Sequence, residues 1–458
     1  MFRRTHIAFG LTFVLVGAIA HGATSPEEAR QLGGEKLTLI GAEAAGNKEG
    51  SIPPYGGKAP RAPAAYDLKD PGQRPDPYND KPLYTITAKN AEKYADKLDA
   101  MREVFVRYPE FRMDIYPTRR DIEYPKYVLE NTAKNATSCK GAQNELRLEG
   151  CYGGVPFPIP KTGNQVMWNH LLQYGAHAYG GKTSSWVTTP DGQAVLQTKV
   201  EQHQQFDYFD PKNSNPNPSD MLYWKIANND VAPARKVGNK LVILDSLDMV
   251  DKGRRVYQYI PGQRRVKLAP NLAYDTPSPN SGGTSTMDDA KGFLGALDRY
   301  DFKLIGKKEK YIMYNTFGLV NHKTCTDQKV VEFKNFPNPE CVRWELHRVW
   351  VVEATLKSGF RHVYPRRVFY WDEDAPGAGS TESYDAANKL YRVANTVAVP
   401  FYEGQLGVYT DSTMQLDLQS GTWFVQGLAG FPEGGMSPVK PLDDRAFSPE
   451  AMAGEGIR

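Results

Sequence analysis

Three consecutive carboxylates, Asp372-Glu373-Asp374, end the aromatic run VFYWDED. Carboxylates at that density can coordinate calcium, and a pair of them can do the acid and base work of a glycosidase. At the end of a predicted strand, before APGAGS, the run reads instead as a solvated turn. Asp288-Asp289 likewise reads as the acidic first turn of a helix, where the helix dipole favours negative charge. The histidines beyond the N-terminal leader are His170, His177, His203, His322, His347 and His362, and none has the spacing of a metal ligand set. His170 falls on the apolar face of a short predicted helix and reads as a satisfied core residue. The sequence contains no GxSxG, HExxH, GxGxxG or Walker loop. It therefore predicts a protein that is not an enzyme, with no catalytic residue, no metal site and no cofactor.

Binding, rather than catalysis, is suggested by two hairpins. In YQYIPGQRRVKLAPNLAYD, from Tyr257 to Asp275, aromatics and arginines stand side by side. A loop at Ile260-Pro261-Gly262-Gln263 would set Tyr259 opposite Arg264, Tyr257 opposite Val266 and Arg255 opposite Leu268. One face is then aromatic and apolar, and the other is mostly basic apart from Val256. Much of that charge is what a period-two strand shows when its outer face is wet. The second hairpin, RWELHRVWVVEATLKSGFRHVYPRRVFYWDED, has a three-residue loop at Lys357-Ser358-Gly359, with glycine where a positive φ is needed. Pairing outward joins Val352 to Tyr364, Trp350 to Arg366, Arg348 to Val368 and Leu346 to Tyr370. That face is an apolar wall containing two arginines, and a slip of one residue in either strand would undo it. An arginine there must meet a carboxylate, a carbonyl or an aromatic ring. On the structural reading Arg348 and Arg366 do so within the fold; on the functional reading they meet an anionic head group. The expected contacts to a hydrophobic ligand are thus Leu346, Trp350, Val352, Tyr364, Val368, Tyr370, Tyr257 and Tyr259.

The elements that position these hairpins are mostly strands. Predicted strands fall at 184–188, 194–209, 221–227, 240–247, 253–269, 301–314, 343–356, 361–371, 389–400, 406–417 and 423–428. Short turns join most of them, which implies one large curved antiparallel sheet. Helices are predicted at 87–108, 164–174 and 285–300, and they could plug its concave side. The Gly- and Pro-rich segment before residue 87 reads as an extended arm over residues 24–86, and residues 436–458 as a flexible tail. Residues 1–23 have the basic start, the apolar stretch Ile7–Ala20 and the small-x-small site of a cleaved signal peptide, with no lipobox cysteine. Export implies the periplasm and an oxidising compartment. Four cysteines, Cys139, Cys151, Cys325 and Cys341, allow three pairings. The local one joins Cys139 to Cys151 and Cys325 to Cys341, each bond contributing about 3 kcal/mol by loop entropy. The net charge of +3 falls to +1 without the two signal-peptide arginines, which argues against a nucleic-acid partner. The mean hydropathy of −0.55, with 41 Gly and 33 Pro, fits a loop-rich, mainly β chain.

Long stretches between Leu37 and Tyr391 carry a resemblance. They include KLTLIGAEAAGNKEGSIPPYGG, GGVPFPIPKTGNQVMWNHLL, YIPGQRRVKLAPNLAYDTP and the whole second hairpin. Together they resemble the exported Gram-negative family termed domain of unknown function 1329, often labelled outer-membrane lipoprotein-sorting-like. The resemblance implies a fold similar to the LolA and LolB carriers: a half-closed antiparallel β-barrel, over residues 87–435, with helices in its mouth. It also implies a hydrophobic ligand or lipid, a periplasmic setting and a role in envelope traffic beside outer-membrane proteins or export pumps. It carries over no catalytic residue. The expected function is a periplasmic carrier or chaperone for an acyl chain or other apolar envelope molecule. The alternatives are an adaptor protein with no ligand cavity and a hydrolase acting on envelope lipid or glycan.

Overall fold

The computed structural model describes residues 24–212, 221–269, 272, 274–403 and 406–454, so the predicted signal peptide lies outside the described residues. Sixteen strands form one sheet. In chain order they are β1 (Tyr84–Thr87), β2 (Arg112–Ile115), β3 (Ala178–Thr188), β4 (Ala194–Gln205), β5 (Leu222–Ala232), β6 (Lys240–Ser246), β7 (Arg254–Ile260) and β8 (Arg265–Leu268). They continue as β9 (Tyr300–Met313), β10 (Trp344–Leu356), β11 (Arg366–Asp372), β12 (Gly379–Tyr384), β13 (Leu390–Thr396), β14 (Thr413–Asp417), β15 (Trp423–Leu428) and β16 (Gly435–Pro438). The spatial path is β1-β2-β10-β11-β12-β13-β14-β15-β3-β4-β5-β6-β7-β8, with β9 also on β10 and β16 also on β3. Its two ends do not pair with each other, so the sheet is open. Neighbours are antiparallel except for one parallel contact, Trp344 with Ile115.

One face, here called inner, is covered by three things: the helix α3 (Gly163–Leu171), the strap at 274–297, and part of the N-terminal arm. Gly292 shows how closely the strap lies on the sheet. Its φ is +78° and a Cβ there would sit 2.8 Å from the Trp371 ring. The other face, here called outer, is capped near β10–β12 by α1 (Met101–Arg107).

The predicted helix over 87–108 is broken. Tyr84–Thr87 is a strand, Ala91–Tyr94 a 3-10 turn, and α1 begins only after Asp99, whose φ is +50°. The Asp99 carboxylate binds Lys308 at 2.6 Å and Lys310 at 2.9 Å, so tertiary ion pairs hold the break open. The predicted third helix reduces to a 3-10 turn, Met287–Gly292, kinked at Ala290 and Lys291. The longest helix among the described residues, α2 (Lys126–Ser138), is not evident in the sequence because its buried stripe is half polar: Val128, Thr132, Asn135 and Ala136. Thr132 accepts from Val155 N at 2.9 Å, and Asn135 accepts from Tyr152 N at 3.1 Å, so hydrogen bonds stand where an apolar stripe is usually sought.

Both local disulfides are formed, Cys139–Cys151 and Cys325–Cys341. The arm sends Ile40, Ala42 and Ile52 into the core. The segment from residue 436, expected as a flexible tail, instead adds β16 to β3 and a helix at Pro449–Gly454. Phe447 and Met452 pack on Val242, Leu244 and Tyr259 of the outer face. Apolar side chains spaced across SPVKPLDDRAFSPEAM supply that anchor, which composition alone hides.

Candidate functional site

Alternation along β4, β5 and β6 decides what the inner face presents. Val200, Gln202 and Gln204 on β4, Trp224, Ile226 and Asn228 on β5, and Leu241 and Ile243 on β6 turn to one side. Met287, Ala290, Lys291 and Leu294 of the strap face them, and between lies a narrow cleft of about 70 Å³ that is partly open to solvent. Its walls are apolar along β5 and β6 and polar at the floor.

Lys291, held at φ +53°, places its Nζ 2.8 Å from Asp411 Oδ1 and 5.0 Å from the centre of the Trp224 ring. Asp411 also accepts from the Tyr179 hydroxyl and from Gln204. Trp224 Nε1 donates to Gln204 Oε1 at 2.9 Å, which fixes the indole on the wall. Burial, together with the Asp411 charge, pushes the Tyr179 hydroxyl well above the ordinary tyrosine value, so it remains a donor. At the other end, Arg254 grips Asp245 with Nε at 2.7 Å and Nη2 at 2.6 Å. Burial works against the arginine charge, but Asp245 more than offsets it and holds the pKa above the ordinary value. Arg254 Nη1 and Asn228 Oδ1 have no hydrogen-bond partner among the described residues.

The residues expected to contact a hydrophobic ligand lie outside this cleft, for a reason of register. The β10–β11 hairpin is not closed at Lys357-Ser358-Gly359: Phe360 N donates to Lys357 O at 3.2 Å there, but this turn sits inside a longer loop. The innermost pair of the ladder is Thr355 with Arg366, and Val352 pairs with Phe369 rather than Tyr364. The displacement is odd, so it exchanges faces. Leu346, Arg348, Trp350 and Val352 are inner, beside Arg367, Phe369 and Trp371; Arg366, Val368 and Tyr370 are outer. Pro365 has no N–H to donate to a ladder. The loop before it is drawn inward, where Tyr364 Oη donates to Asp289 at 2.8 Å and His362 Nε2 lies 3.0 Å from Asp288.

The inner wall that results is filled. Leu346, Val352 and Tyr364 are buried in packed protein, and His170 stacks on Trp371 with centroids 3.6 Å apart. Val368, Tyr370 and Arg366 border a separate open groove of about 600 Å³ between α1 and the outer face. Both expected head-group arginines have internal partners. Arg348 Nε is 2.7 Å from Glu373, and its Nη2 donates to Ala45 O at 2.7 Å. Arg366 binds Glu353 at 2.8 Å and lies over the Tyr384 ring. In the first hairpin the turn takes Pro261 to Arg264, with Arg264 at φ +48°, so Tyr259 meets Val266 and Tyr257 meets Leu268. That displacement is even, and the aromatic face survives. It is the outer face, however, and the chain after residue 436 covers it.

The DED run is not a solvated turn. All three carboxylates are buried. Asp374 is bound by Arg120 Nε at 2.6 Å and Nη2 at 2.8 Å, and Glu373 by Lys307 at 2.6 Å as well as by Arg348. Asp372 Oδ2 lies 3.1 Å from His347 Nδ1, and Glu345 lies 3.2 Å from the other ring nitrogen. Burial opposes the charge of His347, but Asp372 and Glu345 outweigh it and raise its pKa to about 9. His347, Asp372 and Asp374 bring ligand-type atoms within 4.8 Å of one another, but the ion pairs with Arg120 and Glu345 already occupy them. Asp288 and Asp289 do begin a helical turn: Asp289 accepts from the Thr286 N–H that caps it. They also neutralise the fully buried Arg367, at 3.1 and 2.9 Å. His170 is the core residue expected, with Nε2 2.8 Å from Phe293 O.

Sequence reading missed the cleft residues, although alternation in LYWKIAN already separates Trp224, Ile226 and Asn228 from Tyr223, Lys225 and Ala227. Lys291 and Asp411 carry no local signal, because 119 residues of chain lie between two side chains that meet in space.

Comparison with known proteins agrees with the quoted stretches. The chain is 36% identical, over 98% of its length and 97% of the relative's, to the uncharacterized protein PA3922 of Pseudomonas aeruginosa. Among solved structures, a DUF1329 family protein from Desulfovibrio piger aligns with 14% identity, 60% of this chain, 92% of that one and a TM-score of 0.39. A LolA superfamily protein from Nitrosomonas europaea aligns with 11% identity, 63% of this chain, 98% of that one and a TM-score of 0.35. The family described as Protein of unknown function (DUF1329) matches residues 85–453, most of the chain, and the protein belongs to that family.

Proposed function

We propose that the protein is a periplasmic carrier or chaperone that holds an acyl chain or other apolar envelope molecule between the strap and strands β3–β7, in a half-closed barrel, without changing it chemically. One observation carries this reading: the inner face is packed beneath α3, Gly292 and Phe293, but a hollow remains between Met287, Ala290, Lys291 and Leu294 and strands β4–β6, walled by Trp224, Ile226, Leu241 and Ile243. Each CH₂ buried there would contribute about 0.8 kcal/mol, so one long chain could supply most of the affinity. The polar pairs at its floor are tied to one another rather than arranged as nucleophile, base and oxyanion donors. The two local disulfides suit an oxidising compartment.

The test is delipidated protein incubated with total envelope lipid, re-isolated and analysed by mass spectrometry. Wild type should return a bound lipid, and Ile243→Trp, which fills the cleft, should return at least about tenfold less. Trp350→Ala, on the filled part of the sheet, should return as much as wild type. Folded protein that returns no lipid would sink the proposal and favour an adaptor that binds other proteins.

A further inference from the structure

The charges along the cleft limit what it can hold. Its lining includes three ionised side chains, Arg254, Lys291 and Asp411. Each has an opposite charge within the fold: Lys291 and Asp411 pair at 2.8 Å, and Arg254 binds Asp245 through two nitrogens. Both cations are largely buried, with side chains 12% and 6% exposed. Lys291 is further enclosed by the rings of Phe206 and Trp224. A charged head group entering the cleft would lose its hydration and find no free counter-charge. To gain one it would have to break a buried pair and strand the other partner.

Uncharged hydrogen-bonding capacity is plentiful. Thr183, Ser185, Gln202, Ser278, Asn280 and Gln426 contribute to the lining. Arg254 retains one donor, Nη1, and Asn228 one acceptor, Oδ1, without partners among the described residues. Buried polar atoms of this kind are normally satisfied, and these two border the same space.

We infer that the cleft selects an amphiphile without net charge, one carrying ester, amide or hydroxyl groups beside its chain, and excludes anionic lipids with the same chain. The inference rests on the carrier reading above and specifies its ligand. Asn228→Lys should change the selection, because it adds a cation to a half-buried wall position outside both ion pairs.

The experiment uses the full delipidated mature chain, with dioleoylglycerol and dioleoylphosphatidylglycerol in detergent micelles as probes; the acyl chains are identical and only the head group differs. Wild type should bind dioleoylglycerol at least about tenfold more tightly. Asn228→Lys, shown to be folded by circular dichroism, should bring the two affinities within about twofold or reverse them. Equal or tighter binding of the anionic lipid by wild type would overturn the inference and leave apolar carriage standing. A folded Asn228→Lys protein with unchanged discrimination would also overturn it, since selection would then lie outside the cleft. Failure of both probes to bind folded wild type would remove the carrier reading itself, and this inference with it.

Discussion

The inner face of the sheet behaves differently over its two halves. Beneath β10 and β11 it is dry and full: Phe369, Trp371, Val352 and Arg367 are all buried to the last per cent, and Phe293, Phe302 and His170 pack against them. Beneath β4 to β6 the same pleat meets a strap that stands off it and leaves a cleft. The strands are equally regular in both halves, so regularity does not make the difference. It comes from the cover. Over β10–β11 the cover is aromatic and helical, and every charge drawn in finds a partner. Over β5–β6 it is a 3-10 turn kinked at Ala290 and Lys291, with Lys291 leaning on an aspartate from the segment before β14. A sheet of this size does not itself specify a cleft; space is left where the covering segment fails to fill the pleat.

The largest test of that contrast removes a buried charge from each half. Arg367→Ala leaves Asp288 and Asp289 with no arginine in a dry core, and should cost about 3–5 kcal/mol of unfolding free energy in urea titration. Arg367 is also what holds the Asp288 carboxyl low. Burial alone would raise it, and Arg367 and His362 outweigh that. Arg254→Ala should cost at least about 1 kcal/mol less, because Asp245 can then draw water from the adjoining cleft. Equal losses would mean that the cleft is as dry as the core. Next in size is a pair of truncations. Phe369→Ala should cost about 3–5 kcal/mol, and Ile243→Ala about 1–2 kcal/mol, since one side of Ile243 already faces empty space. Were Ile243→Ala the costlier, the cleft would be a packed surface.

The filled half should also give the protein its alkaline limit. His347 is cationic between Asp372 and Glu345, with a folded pKa of about 9 against an ordinary value near 6.5. A raised folded pKa contributes stability that is complete below the unfolded value and is lost as pH rises through the folded one. Unfolding free energy should therefore fall by up to about 3 kcal/mol between pH 6.5 and pH 9, and His347→Gln should remove that slope. A wild-type slope that persists in the variant would assign the alkaline loss to other groups. Nothing comparable is expected from Arg254, because the Asp245 charge holds its pKa above an ordinary value that already lies beyond that window.

Much of the sheet was legible because alternation is local. Every predicted strand overlaps an observed one, and the mainly β class, the family and the local cysteine pairing all followed. The site was not legible, because it depended on parity across a turn. An even slip in the β7–β8 hairpin kept the tyrosines on one face, whereas an odd one in the β10–β11 hairpin divided the expected wall between two faces. Gly359 does take the positive φ expected of a tight turn, but inside a longer loop whose length is set by Asp288 and Asp289, far away in sequence. The DED run failed for the same reason. Nothing beside Asp374 shows that Arg120 will reach it.

The smallest expected effect concerns the other side of the hollow half. Tyr257 and Tyr259 stand on the outer face, and Phe447 and Met452 close over them. Phe447→Ala should loosen that cover by about 1–2 kcal/mol, less than a core truncation because the patch is small and edged by solvent. The readout is local: faster limited proteolysis after residue 438 and faster amide exchange over Pro449–Gly454, with the main unfolding transition nearly unmoved. Lipid retention should stay within about twofold of wild type, because the same pleat that turns the tyrosines outward turns Trp224 and Ile243 inward. A tenfold loss of retained lipid in Phe447→Ala would place the aromatic face in the binding site and make the inner cleft the lesser of the two.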